Sequence, residues 1–337
     1  MSRIHEALKK AEKERASILP NNDLLAPPPR SSAPPRSSGA SRATTAARPE
    51  TEVIEAPHSF EAPHSFEAPH SFEAPHSVEP QRSVEALYPS GFLSFEEIWK
   101  HCAEPGWHVD PSQSAFASPD APVAITEQFR TLRSRLYQIR DKQPLATLLV
   151  TSALPAEGKT FIASNLAQAM VRQQDKRVLL IDADLRCSRL HQTLGAPVSP
   201  GLSDYLMNQA DEVTVIQRGV PEHLCMIAGG SNATNPSELL QNGRFKLLLD
   251  RLQSAFDWII IDSPPTIPVS DSLLLADMCD GVLMVVRAAY TAYDAAQKSC
   301  QEFHGKNLLG VVLNRAEDTK AYGAYYYHYY GKEPGKG

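Results

Sequence analysis

A short segment near the middle of the chain has the residue types that bind a phosphate group. Residues 151–160 read T-S-A-L-P-A-E-G-K-T, between an apolar run and an amphipathic helical pattern. Backbone N–H groups at the start of such a helix point at an anion, and the helix dipole favours negative charge there. The Lys159 ammonium would neutralise nucleotide phosphates, and the Thr160 hydroxyl would bind Mg²⁺. Ala153 replaces the first glycine of the usual pattern, but the strand–loop–helix context still predicts a phosphate-binding loop.

Three aspartates stand at the ends of two other apolar runs. Asp182 and Asp184 close the run V-L-L-I-D-A-D, and Asp262 closes I-I-I-D before S-P-P. Unpaired carboxylates such as Asp182 and Asp184 at the end of a buried strand are costly, whereas a metal–nucleotide complex nearby would account for both. Asp262 in particular is typical of a carboxylate that turns toward Mg²⁺ or its bound water. Either acidic motif alone is weak evidence for a nucleotide site. The phosphate loop, D-x-D and D-x-P-P in this order, each at a strand end, form a specific combination.

The pattern of apolar runs predicts the sheet that positions these residues. Six runs alternate with helical patterns and predict strands at Thr147–Ser152, Val178–Ala183, Leu224–Ala228, Trp258–Asp262, Val282–Arg287 and Leu309–Asn314. The runs are continuously apolar, as in a sheet covered on both faces. We therefore expect an α/β fold with a doubly wound, mostly parallel sheet of the P-loop NTPase type, similar to MinD and ParA. Ligands of such sheets bind at the carboxyl ends of the strands, where the aspartates fall.

Two predicted helices and the end of the last predicted strand contain further polar residues that could have a structural or functional role. An apolar stripe predicts a helix over 125–140, and Glu127, Arg130 and Arg133 recur on another side of it, where charges ordinarily form only i,i+3 pairs. The sequence N-P-S-E-L-L from Asn235 predicts a helix start, with Asn as the cap and Pro at the first helical position. Asn314 ends the last strand and is a candidate for contact with an adenine edge.

Composition separates the first third of the chain from this domain. The chain has 337 residues, a net charge of −6 and 27 prolines, most of which precede residue 125. Residues 1–18 predict an amphipathic docking helix, with a fraying terminal helix as the alternative. Residues 19–89 predict a long disordered Pro-rich linker that contains E-A-P-H-S-F repeats. Aromatic residues return in 90–120 and predict a short helix that docks on the main domain or on a partner. The nucleotide-binding domain is then expected at 121–317.

The remaining residues, 318–337, are expected to form a flexible tail. It contains six of the eleven tyrosines within residues 322–330. The tyrosine run has no helical or strand alternation, so a buried core element is a poor account of it. The tyrosines are either an aromatic adhesive surface or phosphate acceptors.

The overall composition excludes several classes of protein. A pI of about 6.0 gives no general affinity for nucleic acid. The chain has no signal-peptide pattern, and no apolar run approaches the roughly 18 residues of a membrane span. Five scattered cysteines indicate reduced thiols in the cytosol. We therefore expect a soluble, cytoplasmic protein that reaches a membrane only through a partner.

Taken together, residues 122–337 resemble the bacterial tyrosine kinases (BY-kinases), which autophosphorylate and control capsule and exopolysaccharide synthesis. Five features carry the resemblance, in this order: E-x-x-R-x-x-R from Glu127, the modified Walker A at 154–160, D-x-D-x-R from Asp182, D-x-P-P from Asp262, and the tyrosine cluster. The start of the chain, M-S-R-I-H-E-A-L-K-K, looks like that of soluble autokinases linked to exopolysaccharide operons. In two places the chain departs from the family: Ala156 stands where Gly is common, and Cys187-Ser188 stand where Arg-Pro is frequent.

The resemblance implies an ATP-dependent protein-tyrosine autokinase. ATP would be bound by Ala156, Glu157, Gly158, Lys159, Thr160, Phe161, Arg186 and Asn314. Mg²⁺ would be held by Thr160, Asp182 and Asp262, and the catalytic residues would be Lys159, Asp182 and Asp184. The motif of Glu127, Arg130 and Arg133 would join subunits into a ring-shaped homo-oligomer, for which an octamer is one candidate size. The phosphoacceptors, modified in trans, would be Tyr322, Tyr325, Tyr326, Tyr327, Tyr329 and Tyr330.

The implied partners are a membrane-anchored chain-length determinant that activates the kinase at the inner membrane and a cognate tyrosine phosphatase, with no nucleic acid. One alternative is a positioning ATPase of the MinD/ParA type, but that class has a second lysine early in the loop, where this chain has Leu154. Another is a non-catalytic, nucleotide-dependent scaffold of a polysaccharide export complex, against which Lys159 and the three aspartates argue.

Overall fold

A computed structural model describes residues 93–117, 123–231 and 233–316 of the chain. These residues all belong to one structural unit. The predicted docking helix at 1–18, the linker at 19–89 and the tyrosine tail at 318–337 lie outside the described residues.

A seven-stranded sheet forms the centre of the described part of the chain, in the order β3-β4-β2-β5-β1-β6-β7. Its strands are β1 Thr147–Ser152, β2 Val178–Asp182, β3 Ile216–Arg218, β4 Leu224–Ile227, β5 Trp258–Asp262, β6 Gly281–Arg287 and β7 Leu308–Asn314. Six of the strands pair in parallel. The expected doubly wound, mostly parallel α/β sheet is therefore confirmed, and the six predicted strands lie within one residue of their observed ends.

Strand β3 was not predicted, and it is the one antiparallel member of the sheet. It pairs with β4 between Ile216↔Ile227 and Arg218↔Cys225. Only three residues long, it is shorter than the runs of four to eight residues from which strands are recognised in a sequence. An edge strand of this length limits further strand pairing at that side of the sheet.

Helices cover both faces of the sheet. In chain order they are α1 Phe95–His101, α2 Val123–Arg140, α3 Lys159–Val171, α4 Leu190–Leu194, α5 Leu202–Leu206, α6 Glu212–Val215, α7 Pro236–Gln241, α8 Arg244–Leu252, α9 Asp271–Ala276 and α10 Tyr293–Glu302. Alternate strand residues enter the two cores: Leu149 and Ile181 face one side, and Leu148 and Leu180 face the other. Burial on both faces explains why the strand sequences are apolar without alternation.

Two local predictions about helices need adjustment. Helix α2 begins at Val123, two residues before the predicted start, and Ile125 of the predicted apolar stripe is 36% exposed. Asn235 occupies the N-cap position of α7 as expected, but its side chain does not cap the backbone. Its amide donates instead to Glu238 Oε2 at 3.0 Å. The predicted side-chain cap at Asn235 is therefore wrong, while Pro236 does begin the helix.

The segment 93–117 packs on the main domain, and its helix α1 is the short helix expected between 90 and 120. Ser94 and Glu97 form a capping box at its start, while Phe95 and Ile98 are buried in one of the two cores. Further along, the backbone N–H of Ala115 donates to Asn165 Oδ1 on α3 at 2.6 Å. The domain boundary at 121 stays a prediction, but residues ahead of it contribute side chains to the same core.

Within residues 93–117, 123–231 and 233–316, no helix has both the length and the apolar character needed to cross a membrane.

Candidate active site

The phosphate loop connects β1 to α3 and is shaped by two left-handed residues. Ala156 has a φ of 62° and Gly158 a φ of 95°. A Cβ atom added to Gly158 would lie 2.0 Å from Asn314 Nδ2 at the end of β7. Glycine is therefore required at 158 both by its conformation and by the close approach of Asn314. Ala156 adopts the conformation for which glycine is the usual residue, which is consistent with Gly being common there in the resembling family.

Glu157 braces the loop from inside. Its side chain is fully buried, accepts a hydrogen bond from the backbone N–H of Leu154 at 2.7 Å and contacts the Thr291 hydroxyl. Burial raises the pKa of Glu157 in spite of these donors. With its carboxyl group engaged in the interior, Glu157 has only its backbone available for the nucleotide contact expected from the sequence.

Lys159 and Thr160 meet two of the predicted aspartates. Lys159 Nζ lies 2.7 Å from Asp184 Oδ2 and 3.8 Å from Asp262 Oδ1. The Thr160 hydroxyl donates to Asp262 Oδ2 at 2.6 Å. Burial acts to lower the pKa of Lys159, but the charges of Asp262 and Asp184 outweigh it, so the pKa is raised. The ammonium is therefore held in its charged form, facing the carboxylates.

Asp182 lies beside Asp262 because β2 and β5 pair in register at these two residues. Its Oδ2 accepts hydrogen bonds from the Ser188 hydroxyl at 2.7 Å and from the backbone N–H of Leu190 at 3.0 Å. Burial, and then the charge of Asp262, raise the pKa of Asp182 to about 7. Burial also raises the pKa of Asp262, against the opposing charge of Lys159. The two carboxylates thus share a site in which a further positive charge would be stabilising.

The donor set fits a magnesium ion bound together with a nucleotide. Three buried carboxylates face one ammonium, and Asp262 Oδ1 has no hydrogen-bond donor among the residues that the structure describes. No group of three or more His, Cys, Asp or Glu side chains in the described ranges forms a complete metal cage. Mg²⁺ commonly binds through one or two carboxylates, with waters and substrate phosphates as the other ligands. A site of Asp262, Asp182 and the Thr160 hydroxyl has this character.

Three other predicted nucleotide residues are placed around the loop. Asn314 donates to the backbone carbonyl of Glu157 at 2.8 Å, so it supports the loop from β7. The ring of Phe161 lies 5.9 Å from that of Phe129 and packs toward α2. Arg186 donates from Nε to Asp271 Oδ2 at 2.7 Å. The structure thus gives each of these side chains a protein partner.

Several residues that support the site had no clear signal in the sequence. Ser237 donates to Asp271 Oδ1 at 2.6 Å and accepts from Arg186 Nη2 at 2.8 Å, joining the loop after β2 to α7 and α9. Ser188 and Thr291, which hold Asp182 and Glu157, were also missed. Single hydroxyl residues in loops follow no periodicity, so only their position relative to a buried carboxylate reveals them.

Of the three charged residues Glu127, Arg130 and Arg133 on α2, two lie at the helix surface and one contacts the rest of the domain. Glu127 and Arg130 form an ion pair on the helix surface, with side-chain exposures of 35% and 51%. Arg133 instead donates to the backbone carbonyl of Ala169, near the end of α3, at 2.6 Å. One arginine of the triplet is therefore available at the surface, while the other holds α2 against α3.

Comparison with known proteins agrees with this architecture. Residues 156–304 match a family model described as an AAA domain. Tyrosine-protein kinase YwqD of Bacillus subtilis is 32% identical over 204 residues, which cover 59% of this chain and 86% of YwqD. Tyrosine-protein kinase ptk of Acinetobacter johnsonii is 33% identical over 201 residues, 59% of this chain. The chain spans only 27% of the length of that second relative.

Among solved structures, the kinase domain of Escherichia coli tyrosine kinase ETK superposes with a TM-score of 0.56 at 32% identity. The match covers 59% of this chain and 78% of that domain. The chain therefore belongs to the family of bacterial tyrosine-protein kinases built on the P-loop NTPase fold.

Proposed function

We propose that this chain is an ATP-dependent protein-tyrosine autokinase that phosphorylates the C-terminal tyrosines of a neighbouring copy. The observation that carries the proposal is the cluster of Lys159, Thr160, Asp184 and Asp262, with Asp182 in register beside it. The cluster lies where the phosphate loop meets the carboxyl ends of two parallel strands. Phosphoryl transfer needs mainly positioning and neutralisation of charge, and this is what such a cluster provides.

In this account, each residue of the cluster has a separate task. The loop N–H groups and the Lys159 ammonium bind the β- and γ-phosphates. Thr160, Asp182 and Asp262 would hold Mg²⁺, which would neutralise part of the negative charge on the phosphates. Asp184 orients Lys159 through their 2.7 Å contact. The phosphate oxygens then meet a fixed set of donors, so little reorganisation accompanies the transfer.

The transfer itself breaks the bond between the γ-phosphorus and the oxygen that bridges it to the β-phosphate. The phenol oxygen of a tyrosine forms the new P–O bond, and ADP leaves. Asp182 orients the phenol and accepts its proton, as a carboxylate within reach of the acceptor can do. The acceptors are Tyr322, Tyr325, Tyr326, Tyr327, Tyr329 and Tyr330, which lie outside the described residues.

We further propose that Glu127, Arg130 and Arg133 contribute to a ring in which one subunit presents its tail to the next. The exposed pair of Glu127 and Arg130 is placed to meet another subunit, whereas Arg133 keeps α2 in position. Each tail phosphate adds roughly −1.5 to −2 charge near neutral pH. Accumulated phosphates would then drive the ring apart, and a tyrosine phosphatase would reset it.

The biological setting that we propose is the control of exopolysaccharide or capsule synthesis. The cytoplasmic segment of a membrane-anchored chain-length determinant would activate the kinase and bring it to the inner membrane. The predicted helix at 1–18 and the linker at 19–89 are suited to a docking peptide on a tether. Among the alternatives, a positioning ATPase is less well supported because Leu154 stands at the position of its second lysine.

The proposal is tested by incubating the purified full chain with MgATP, with and without the cytoplasmic segment of the membrane partner. Phosphate sites are then mapped by mass spectrometry, and ADP is measured in parallel. We expect phosphotyrosine within residues 322–330 that disappears in Lys159→Met. Steady ADP release without phosphotyrosine would instead indicate an ATPase, and nucleotide binding without either product would indicate a scaffold.

A further inference from the structure

Two buried hydroxyl groups at helix α10 contact residues that hold the phosphate loop. Thr291 lies two residues before the helix and Ser299 lies within it, and both are buried. The Thr291 hydroxyl contacts the carboxyl group of Glu157 in the loop, and the Ser299 hydroxyl contacts that of Thr266 after β5. A buried hydroxyl group normally has a hydrogen-bond partner, so these contacts alone assign no role. The role follows from what the two partners hold.

Glu157 is fixed by its side chain and by its backbone. Its Oε2 atom accepts a hydrogen bond from the backbone N–H of Leu154 at 2.7 Å, which closes the loop upon itself. Its Oε1 atom contacts the Thr291 hydroxyl, and its backbone carbonyl accepts from Asn314 Nδ2 at 2.8 Å. The position of Glu157 therefore depends on Thr291 and Asn314, from outside the loop, as well as on the loop itself.

The turn between β6 and α10 determines which way the Thr291 hydroxyl is directed. Thr291 Oγ1 accepts from the backbone N–H of Arg287 at 3.2 Å, and the Thr291 N–H donates to the Arg287 carbonyl at 3.1 Å. Since a hydroxyl has one hydrogen, an oxygen that accepts from Arg287 keeps that hydrogen for Glu157. The site at 291 thus needs a group that accepts and donates at once, which a valine of the same shape cannot do.

The contact of Ser299 leads to the start of the phosphate loop. The backbone N–H of Thr266 donates to the carbonyl of Ser152, the last residue of β1, at 2.9 Å. The next N–H, that of Ile267, donates to the carbonyl of Ala153 at 3.2 Å. Ser299 therefore contacts the segment that holds the beginning of the loop, whereas Thr291 contacts a residue near its end.

The loop between these two points has a backbone conformation that needs support. Ala156 has a φ of 62°, in the left-handed region that is unfavourable for a residue with a Cβ atom. Without its supporting contacts the loop would relax to conformations in which its N–H groups no longer converge on a phosphate. The apparent affinity for a nucleotide would then fall with the fraction of chains that keep the binding conformation.

We propose that Thr291 and Ser299 are positioning residues that keep the phosphate loop in the conformation that binds ATP. Thr291 acts through Glu157, and Ser299 acts through Thr266, so neither side chain touches the nucleotide. The proposal deepens the function proposed above and rests on it for the identity of the ligand. It gives the region from the end of β6 through α10 a part in nucleotide binding.

The test measures the affinity of full-length variants for a non-hydrolysable ATP analogue with Mg²⁺ by titration calorimetry. Thr291→Val removes the hydroxyl and should weaken binding by about 10-fold, as expected for the loss of a hydrogen bond to a charged group. Thr291→Ser keeps the hydroxyl and should bind within about 3-fold of the wild-type chain. Ser299→Ala should weaken binding by about 3-fold, because its effect passes through Thr266; it tests the proposal if Thr291→Val does not fold.

A control and a double variant distinguish positioning from a general effect on folding. Thr193→Val is the matched control, because Thr193 is also buried and its hydroxyl donates to the Arg189 carbonyl at 3.3 Å within α4. Its affinity should equal that of the wild-type chain, and urea unfolding of each variant confirms that the protein titrated is folded. Thr291→Val combined with Glu157→Gln should bind no more weakly than the weaker single variant, because both changes remove the same contact.

Three results would overturn the proposal: an unchanged affinity in folded Thr291→Val and Ser299→Ala, a Thr291→Ser variant as weak as Thr291→Val, or additive losses in the double variant. The measurement requires no phosphoryl transfer. A chain that shows the expected affinities but forms no phosphotyrosine would therefore contradict the proposed function and support the positioning role.

Discussion

The Thr160 hydroxyl donates a 2.6 Å hydrogen bond to Asp262 Oδ2, which connects the first turn of α3 to the end of β5. Two sequence motifs more than one hundred residues apart therefore meet through side chains. The other oxygen of Asp262 is buried and faces Lys159 Nζ at 3.8 Å. Whether these side chains can bind a nucleotide depends on the conformation of the phosphate loop. A substitution at Gly158 would change that conformation.

Gly158→Ala should reduce ATP affinity by about 10-fold or more. The left-handed conformation costs an L-residue about 1–2 kcal/mol, and the new Cβ would also collide with Asn314 Nδ2. Gly243→Ala is the matched control, because Gly243 is also a left-handed N-cap, with a φ of 81°, and a Cβ there meets nothing within 4 Å. Isothermal titration with an ATP analogue should separate the two variants. Equal affinities would show that the Asn314 side chain can move aside without changing how the loop binds the nucleotide.

Arg130→Ala should lower the amount of higher oligomers on gel filtration without changing the free energy of unfolding. Its side chain is 51% exposed and pairs only with Glu127 in the described part of the chain, so its loss has little effect within one subunit. Arg133→Ala should instead destabilise the fold by about 1–3 kcal/mol, because it removes the donor to the Ala169 carbonyl. Unchanged assembly in the double variant would refute the role of the triplet in oligomerisation.

Ile98→Ala should destabilise the domain by about 2–5 kcal/mol, the usual loss for a large buried aliphatic residue. Ile98 is fully buried in the core on one face of the sheet, although it precedes the predicted domain boundary. Lys100→Ala, on the exposed side of the same helix, should change the stability by less than about 0.5 kcal/mol. Urea unfolding followed by circular dichroism measures both. A small effect for Ile98→Ala would mean that α1 contributes little to the folded core.

Asp204→Asn should lower stability at pH 7 by about 1–3 kcal/mol, with a smaller difference in acid. The Asp204 Oδ2 atom accepts from the backbone N–H of Gly201 at 2.7 Å and from the Ser199 hydroxyl at 3.1 Å. Burial acts to raise the pKa of Asp204, but the hydrogen-bond donors, including Ser231, outweigh it and lower the pKa.

The direction of the pH effect follows from this lowered pKa. The contribution of the carboxylate is fully present above the pKa of about 3.9 that an unfolded aspartate has. It is lost as the pH falls through the lower pKa of the folded state. The difference in unfolding free energy between the two proteins should therefore be smaller near pH 3 than at neutral pH, and a constant difference would contradict the assignment.

Much of the fold could be predicted because long apolar runs mark buried parallel strands. The strand from Trp258 to Asp262 was predicted with its observed ends, and the aspartates at strand ends follow from the same pattern. Strand β3 could not be predicted, since Ile216–Arg218 is too short for any periodicity and is ordered by pairing with β4. The different roles of Arg130 and Arg133 on α2 could not be predicted either, because sequence spacing alone does not reveal that Arg133 contacts the Ala169 carbonyl.

The supporting contacts of the candidate site were harder to predict than its central residues. Lys159 and Asp262 belong to patterns with a chemical reason for each position. By contrast, Glu157 reads as a loop residue, and only the fold shows that its carboxyl group is buried against Thr291. Arg186 likewise reads as a nucleotide contact, whereas its guanidinium bonds to Asp271.

The central claim, phosphorylation of one copy's tail by another copy, is tested most directly by mixing two variants. One is Lys159→Met with its tail intact, and the other is truncated after residue 317 with its nucleotide site intact. After incubation with MgATP and the activating segment, mass spectrometry should find phosphotyrosine at 322–330 of the Lys159→Met chain only when the truncated chain is present. An intact-tail Lys159→Met chain that stays unmodified in the mixture, while the wild-type chain modifies itself, would contradict transfer between copies.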